Sequence, residues 1–172
     1  MPYYYPVDYL PDEEKKKIVD DAVRVAYSVG RQFIKAPELV DRPLQPADVG
    51  LSTVDFKFTG TTDANGKLTI VDKTLDDDEV IVIYGLANKS TSPTIMRITF
   101  ETGSEKIADF QFDDMYVQDT PEILFDKPIV YSPKSRMVIN IYSTSTSASI
   151  TEELILKGIV VEKAGKNISK PK

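Results

Sequence analysis

Carboxylates are the side chains of this sequence that could carry acid–base or metal chemistry, because the chain has no histidine, no cysteine and no tryptophan. Histidine titrates in the physiological range, and cysteine supplies the reactive thiolate and the soft metal ligand. Their absence excludes Ser-His-Asp and Cys-His catalysis. It also excludes the usual zinc and iron–sulfur sites.

The densest acidic cluster is Asp76-Asp77-Asp78-Glu79. Oxygen ligands of this kind suit calcium or magnesium. The spacing is not that of an EF-hand, and acidic residues before a strand also keep its edge solvated. We interpret residues 76–79 as a solvated loop and predict no metal and no cofactor, with calcium binding as the open alternative.

A second group of acids, Asp109, Asp113, Asp114 and Glu122, could supply the two carboxylates of a glycoside hydrolase. Such a site needs a cleft with aromatic platforms, and the chain has 9% aromatic residues and no tryptophan. We predict that the protein is not an enzyme. A carboxylate hydrolase is the third hypothesis.

Two polar segments rich in serine and threonine, residues 88–94 and 143–149, could form the rim of a ligand site. Small polar residues are equally typical of hairpin connections. A carbohydrate- or protein-binding sandwich module with its site in these loops is therefore the second functional hypothesis.

Charge and hydrophobicity limit the partners. The 172 residues carry a formal net charge of −6, which disfavours a nucleic-acid partner because phosphates require a clustered basic face. No apolar run approaches 18 residues, so we predict no membrane partner, and the N-terminus does not resemble a secretory signal. The basic stretch 164–172 is predicted to be a flexible tail.

The first 50 residues divide into an arm, a helix and a connector. Residues 1–11 form a Tyr/Pro arm in which three prolines favour an extended path. From residue 12 to residue 35, apolar residues recur at spacings of three and four, which predicts an amphipathic helix. Pro37 ends it, and residues 36–50 are predicted to be a proline-rich connector.

Residues 51–163 show a period of two, which predicts an antiparallel β-sandwich of about eight strands. A strand at 79–87 is apolar on both faces and should be covered on both sides, with the helix as one candidate cover. Gly158 is predicted to mark a β-bulge. The predicted strands span residues 53–59, 67–71, 79–87, 94–101, 107–112, 123–131, 136–142 and 153–162.

The tyrosine arm is the best candidate for an interaction site. Tyrosine is enriched at protein interfaces because it combines a large apolar area with a polar tip. The arm could pack on its own sandwich or on a neighbouring subunit, and the sequence leaves both possibilities open. With the helix stripe, the predicted interface residues are Tyr3, Tyr4, Tyr5, Tyr9, Val25, Val29 and Phe33.

Toward the C-terminus the sequence has a strand from Phe125, a turn bounded by Pro128 and Pro133, and an LxLxGI ending from Leu154 to Ile159. This pattern resembles the closing strands of jelly-roll virion proteins, the capsid-associated or decoration proteins of phages and archaeal viruses. The similarity covers about residues 125–162. It implies a jelly roll in a virion and no catalytic residues.

These observations predict a non-enzymatic virion structural protein, acting as a minor capsid, decoration or head–tail component. Its expected partners are copies of itself, in a homo-oligomer, and other virion proteins. Its expected location is the virion, assembled in the host cytoplasm.

Overall fold

The computed structural model is a two-sheet sandwich with one helix packed on its outside. The structure describes residues 3–51, 56–90, 94–103, 105–112, 121–144 and 150–166. Its elements are β1 (Tyr4–Pro6), α1 (Asp12–Phe33), β2 (Leu39–Pro43), β3 (Phe58–Thr61), β4 (Lys67–Thr74), β5 (Glu79–Asn88), β6 (Ile95–Thr102), β7 (Glu105–Gln111), β8 (Glu122–Tyr131), β9 (Arg136–Ser143) and β10 (Thr151–Lys163).

Sheet A runs β1-β8-β5-β10-β2, with β3 also paired to β10, and sheet B runs β4-β9-β6-β7. When β3 to β10 are counted from one to eight, sheet A contains the order 1-8-3-6 and sheet B the order 2-7-4-5. This is the strand order of a jelly roll. The predicted antiparallel jelly-roll sandwich is therefore confirmed.

The structure adds two short strands, β1 and β2, to the eight predicted from periodicity. Each contains a proline, Pro6 or Pro43, and each lies at an edge of sheet A, where a missing N–H can be tolerated. The segment predicted as a connector thus contains an edge strand paired with the C-terminal half of β10. Of the predicted strand at 53–59, residues 53–55 lie outside the described residues.

Helix α1 covers the outer face of sheet A. Ala22 and Ala26 are fully buried against Val80 and Val161 of the sheet, and their small side chains allow close packing. Strand β5 is accordingly buried on both faces, as predicted. The helix ends two residues earlier than expected, because Ile34 already has extended backbone angles.

The main core lies between the two sheets, where three phenylalanine rings join them. Phe110 of β7 stacks on Phe125 of β8 with centroids 4.6 Å apart, and Phe100 meets Phe125 edge-on. Burial of one such side chain contributes on the order of 1.5–3 kcal/mol. The bulge predicted at Gly158 of β10 lies instead in β5, because the register shift opposite Lys157 and Gly158 leaves Tyr84 as the extra residue. Strand β10 alternates without interruption: Leu154, Leu156 and Val160 face the main core, whereas Ile159 and Val161 face α1 and do not share that face as expected.

Candidate functional site

The N-terminal arm is attached to the edge of sheet A by β1. Tyr4 lies opposite Phe125 of β8 in the antiparallel ladder. The Tyr3 N–H donates to Asp126 Oδ1 at 2.6 Å, and the Asp126 N–H donates to the Tyr3 carbonyl at 2.9 Å. The arm therefore packs on its own chain.

Strand alternation divides the arm tyrosines into one anchor and its outward-facing neighbours. The Tyr4 ring packs edge-on against Phe110 and Phe112, with both centroids at 5.8 Å. Its hydroxyl donates to the Gln111 carbonyl at 2.8 Å. Tyr4 thus ties the arm, which pairs with sheet A, to residues of the other sheet.

The remaining arm tyrosines face solvent. Tyr3 is 73% exposed, Tyr5 42% and Tyr9 67%. Residues Val7–Tyr9 form one turn of 3-10 helix, in which Val7 is buried. The three rings therefore project from a backbone that is already ordered.

A cavity of about 400 Å³ lies between the arm and α1. Tyr5, Leu10 and Ile18 form its apolar part. Charged residues Glu14, Lys17, Asp21 and Asp126 complete its lining. The arm and the first half of α1 together present a concave, partly apolar surface beside exposed tyrosines.

The predicted helix residues have different environments. Val29 packs against the cluster beneath α1, and Val25 is half-buried. Phe33 is 52% exposed and lines a separate cavity of about 430 Å³ with Lys35 and Lys134. The structure brings Tyr3, Tyr5 and Tyr9 together on the arm, and it places Phe33 at the far end of the helix.

The acidic cluster at 76–79 is neutralised from within the chain. The Lys166 ammonium contacts Asp78, lies 3.1 Å from Asp76 Oδ2 and lies 3.8 Å from Glu79 Oε2. Burial lowers the pKa of Lys166, but its hydrogen bonds to Asp78 and Asp76 outweigh burial and the net pKa is raised. The described residues contain no group of acids arranged to hold a metal. Lys166, in the segment 164–172 that was predicted to be a flexible tail, thus packs on this cluster. Residues 167–172 lie outside the described part of the chain.

The candidate hydrolase carboxylates lie on different sheets. Asp109 of sheet B accepts two hydrogen bonds from Arg97, at 2.8 and 2.6 Å, which lower the pKa of Asp109. Glu122 of sheet A contacts Lys157. Asp113 and Asp114 lie outside the described residues. The arrangement of Asp109 and Glu122 is that of two separate ion pairs.

Glu152 is a buried carboxyl that the sequence analysis missed. It is fully buried where β10 begins, beside the segment 88–94. The hydroxyls of Thr94 and Ser90 donate to its two oxygens, the latter at 3.3 Å. Burial raises the pKa of Glu152, and these two hydrogen bonds only partly offset the effect. Glu152 lies two residues before Leu154, which faces inward, so strand alternation could have predicted that Glu152 is buried.

The described residues include no helix that is long and apolar enough to span a membrane.

No protein-family model matches the sequence, and no curated protein is similar to it in sequence. Among solved structures, the fold is similar to the infectious bursal disease virus VP2 subviral particle, with a TM-score of 0.38, 11% identity and coverage of 77% of this chain and 34% of that one. It is also similar to infectious bursal disease virus Gx strain, with a TM-score of 0.34, 12% identity and coverage of 77% and 35%.

A third similar structure is dimeric latent PorU from Porphyromonas gingivalis, with a TM-score of 0.31, 14% identity and coverage of 72% and 12%. The chain therefore spans about a third of the length of the viral chains and far less of PorU. Viral capsid proteins are thus among the structural neighbours, beside a bacterial protein. A sandwich shared at this level does not discriminate between functions.

Proposed function

We propose that this chain is a non-enzymatic virion structural protein that acts through contacts between subunits. The observation that carries the proposal is the difference in burial among the arm tyrosines. Tyr4 anchors the arm to its own sandwich, whereas Tyr3, Tyr5 and Tyr9 project outward.

Pre-ordering makes this surface suited to binding. Association normally costs conformational entropy when a segment becomes ordered at the interface. Here the ladder with β8 and the buried Val7 already hold the backbone. Exposed tyrosines on a rigid support provide large contact area at low entropic cost.

Two further observations support a virion role. The strand order is that of a jelly roll, an architecture used by capsid and lectin domains. The sequence of residues 125–162 resembles the closing strands of virion proteins. A minor capsid, decoration or head–tail component, assembled in the host cytoplasm, is the specific role proposed.

The proposed partners are copies of this chain and other virion proteins. The arm surface of Tyr3, Tyr5 and Tyr9 is the proposed contact, with Val25, Val29 and Phe33 of α1 as additional contact residues. Tyr4 contributes by holding the arm in place. The net charge of −6 favours protein partners over nucleic acid.

Sedimentation velocity of the purified chain tests the contact. We expect oligomers at micromolar concentration, and weaker association when Tyr3, Tyr5 and Tyr9 are changed to serine. Phe56→Ser is the matched control, because Phe56 is 47% exposed and precedes β3 at the opposite edge of sheet A. Equal association of the two variants would argue against the arm as the contact.

The virion role has its own test. Particles purified by density gradient from the native host should contain this chain as a stoichiometric component detectable by mass spectrometry. Its absence from such particles would refute the virion assignment, whatever the oligomeric state of the isolated chain.

A binding module is the second candidate, because a shallow cavity of about 240 Å³ lies on sheet B beside Ser143. Met96, Arg97 and Tyr142 line it, and Arg97 stacks over the Tyr142 ring at 4.9 Å. Of the predicted rim segments, residues 91–93 and 145–149 lie outside the described residues. Binding of neutral oligosaccharides that is lost in Tyr142→Ala would favour this function.

A further inference from the structure

The exposed face of α1 carries charges in a regular alternation. Glu14, Lys17, Asp21 and Arg24 are spaced three or four residues apart, so they lie along one stripe of the helix. The stripe faces away from sheet A, since the intervening Ala22 is fully buried against the sheet. The side chains of Asp21 and Arg24 are 43% and 74% exposed.

We propose that a second copy of this chain docks on this stripe, with the two α1 helices antiparallel. Their two-fold axis crosses the stripe midway between Lys17 and Asp21, at the level of Val19 along the helix. The inference rests on the proposed function, since it names the partner and geometry of the subunit contact. In such a pair, residues equally far before and after Val19 face each other. Lys17 then faces the partner's Asp21, and Glu14 faces the partner's Arg24.

The order of the charges selects this arrangement. Along the chain the stripe reads negative, positive, negative, positive. An antiparallel copy centred on Val19 presents the reversed order, so every position meets its opposite charge. A parallel copy in register would place like charges together, which is unfavourable. Two-fold symmetry repeats each pair, as an isologous contact requires.

The arm supplies the apolar part of the same surface. Glu14, Lys17 and Asp21 also line the cavity formed by Tyr5, Leu10 and Ile18. In the antiparallel pair, the exposed Tyr9 of each copy, which precedes Glu14 in the chain, lies toward the part of the partner's α1 that follows Arg24. Exposed ion pairs contribute little affinity individually, so the tyrosines provide most of it and the charges set orientation.

Charge reversal in separate chains tests the geometry. Lys17→Glu and Asp21→Lys are prepared as two single variants, and their dimer dissociation constants are measured by sedimentation velocity. Each variant alone should dimerise roughly 10-fold or more weakly than the wild type, because symmetry turns two attractions into two repulsions. Lys67→Glu, with the same change of charge on sheet B, is the control and should leave the constant unchanged.

An equimolar mixture of the two variants provides the decisive result. In a mixed dimer, the chain that carries Lys17→Glu would meet the Asp21→Lys position of its partner, so opposite charges again face each other there. At the symmetry-related position, the unchanged Asp21 of the first chain would face the unchanged Lys17 of the second. The mixture should therefore regain association close to the wild-type level, as should the double variant Lys17→Glu/Asp21→Lys.

Failure of the mixture to regain association would overturn the two-fold geometry. If both single variants dimerise as tightly as the wild type, the stripe is not the contact. The proposed function would still stand in that case if the arm variants dissociate. A wild-type chain that stays monomeric up to about 1 mM would overturn this inference, whereas the virion role fails only if purified particles lack the chain.

Discussion

Glu79 of β5 and Glu162 of β10 lie directly opposite each other in the antiparallel ladder, and their side chains are 1% and 0% exposed. Like charges at opposed positions repel, so each carboxylate needs its own cation. The Arg42 Nε–H donates to Glu162 Oε1 at 2.9 Å. Lys73 lies 3.4 Å from Glu79, whose Oε1 also accepts the Asp76 N–H.

Arg42→Met should destabilise the fold strongly. Arg42 joins Glu162 to Asp48, and its loss leaves a buried carboxylate without a cation. The expected decrease in the free energy of unfolding is about 3 kcal/mol. Urea denaturation measures it, and the double variant Arg42→Met/Glu162→Gln should recover at least about 1 kcal/mol. A loss below about 1 kcal/mol in the single variant would contradict a structural role for the pair.

Lys166→Met should also destabilise the protein, by about 1–2 kcal/mol, because the Lys166 side chain is 8% exposed and forms ion pairs with Asp76 and Asp78. The raised pKa means that its contribution is complete below the ordinary lysine pKa and is lost as the pH rises through the folded-state value. Thermal denaturation near neutral pH measures the effect. Lys163→Met is the control, since the Lys163 side chain is 53% exposed and should contribute little.

Calcium tests the same cluster in another way. The wild-type melting temperature should be unchanged by calcium or by a chelator, because an ammonium already occupies the position between the carboxylates. A reproducible rise of the wild-type melting temperature with calcium would show instead that the cluster binds the ion, because a ligand of the folded state raises its stability.

Glu152→Gln should stabilise the protein at about pH 8 by roughly 1 kcal/mol, because it removes a buried charge. One of the hydroxyls of Thr94 and Ser90 can still donate to the amide oxygen, and the other can rotate to accept from the amide N–H. The folded-state pKa of Glu152 is raised, so the contribution of this group favours folding at low pH and is lost as the pH rises through that pKa.

Urea denaturation of the wild type and of Glu152→Gln between about pH 5 and pH 8 tests this sign. The difference between them should shrink toward the acidic end of that range. At still lower pH the lowered pKa of Asp109 works in the opposite direction, since the stability that Asp109 contributes is lost as it becomes protonated. Glu153→Gln is the control, because its side chain is 32% exposed beside Lys57.

Tyr4→Ala should cost about 2–4 kcal/mol, because it removes the contacts with Phe110 and Phe112 and the hydrogen bond to the Gln111 carbonyl. Chemical denaturation gives the value. Tyr3→Ala changes the neighbouring, 73% exposed ring and should cost no more than about 0.5 kcal/mol. Similar costs for the two variants would show that the alternation along the arm does not decide which tyrosine is the anchor.

Local pattern determined most of the fold. The change of period from 3.6 to two near residue 51 separated the helix from the sandwich. The alternation of strand residues predicted that Leu154 and Leu156 of β10 face the core, although the bulge expected at Gly158 lies in β5, at Tyr84. Continuous apolarity marked β5 as the strand buried on both faces. These features depend on neighbouring residues, which the sequence displays directly.

Tertiary structure alone decided what each arm tyrosine and each acid does. Strands β1 and β2 are too short and too rich in proline to show a period, and they form only because the edges of sheet A offer a partner. Tyr4 differs from Tyr3 because it meets phenylalanines more than 100 residues away. The charge of Asp76 is compensated by Lys166, and Glu152 lacks a cation among the described residues, because ladder pairing sets distances that sequence separation does not encode.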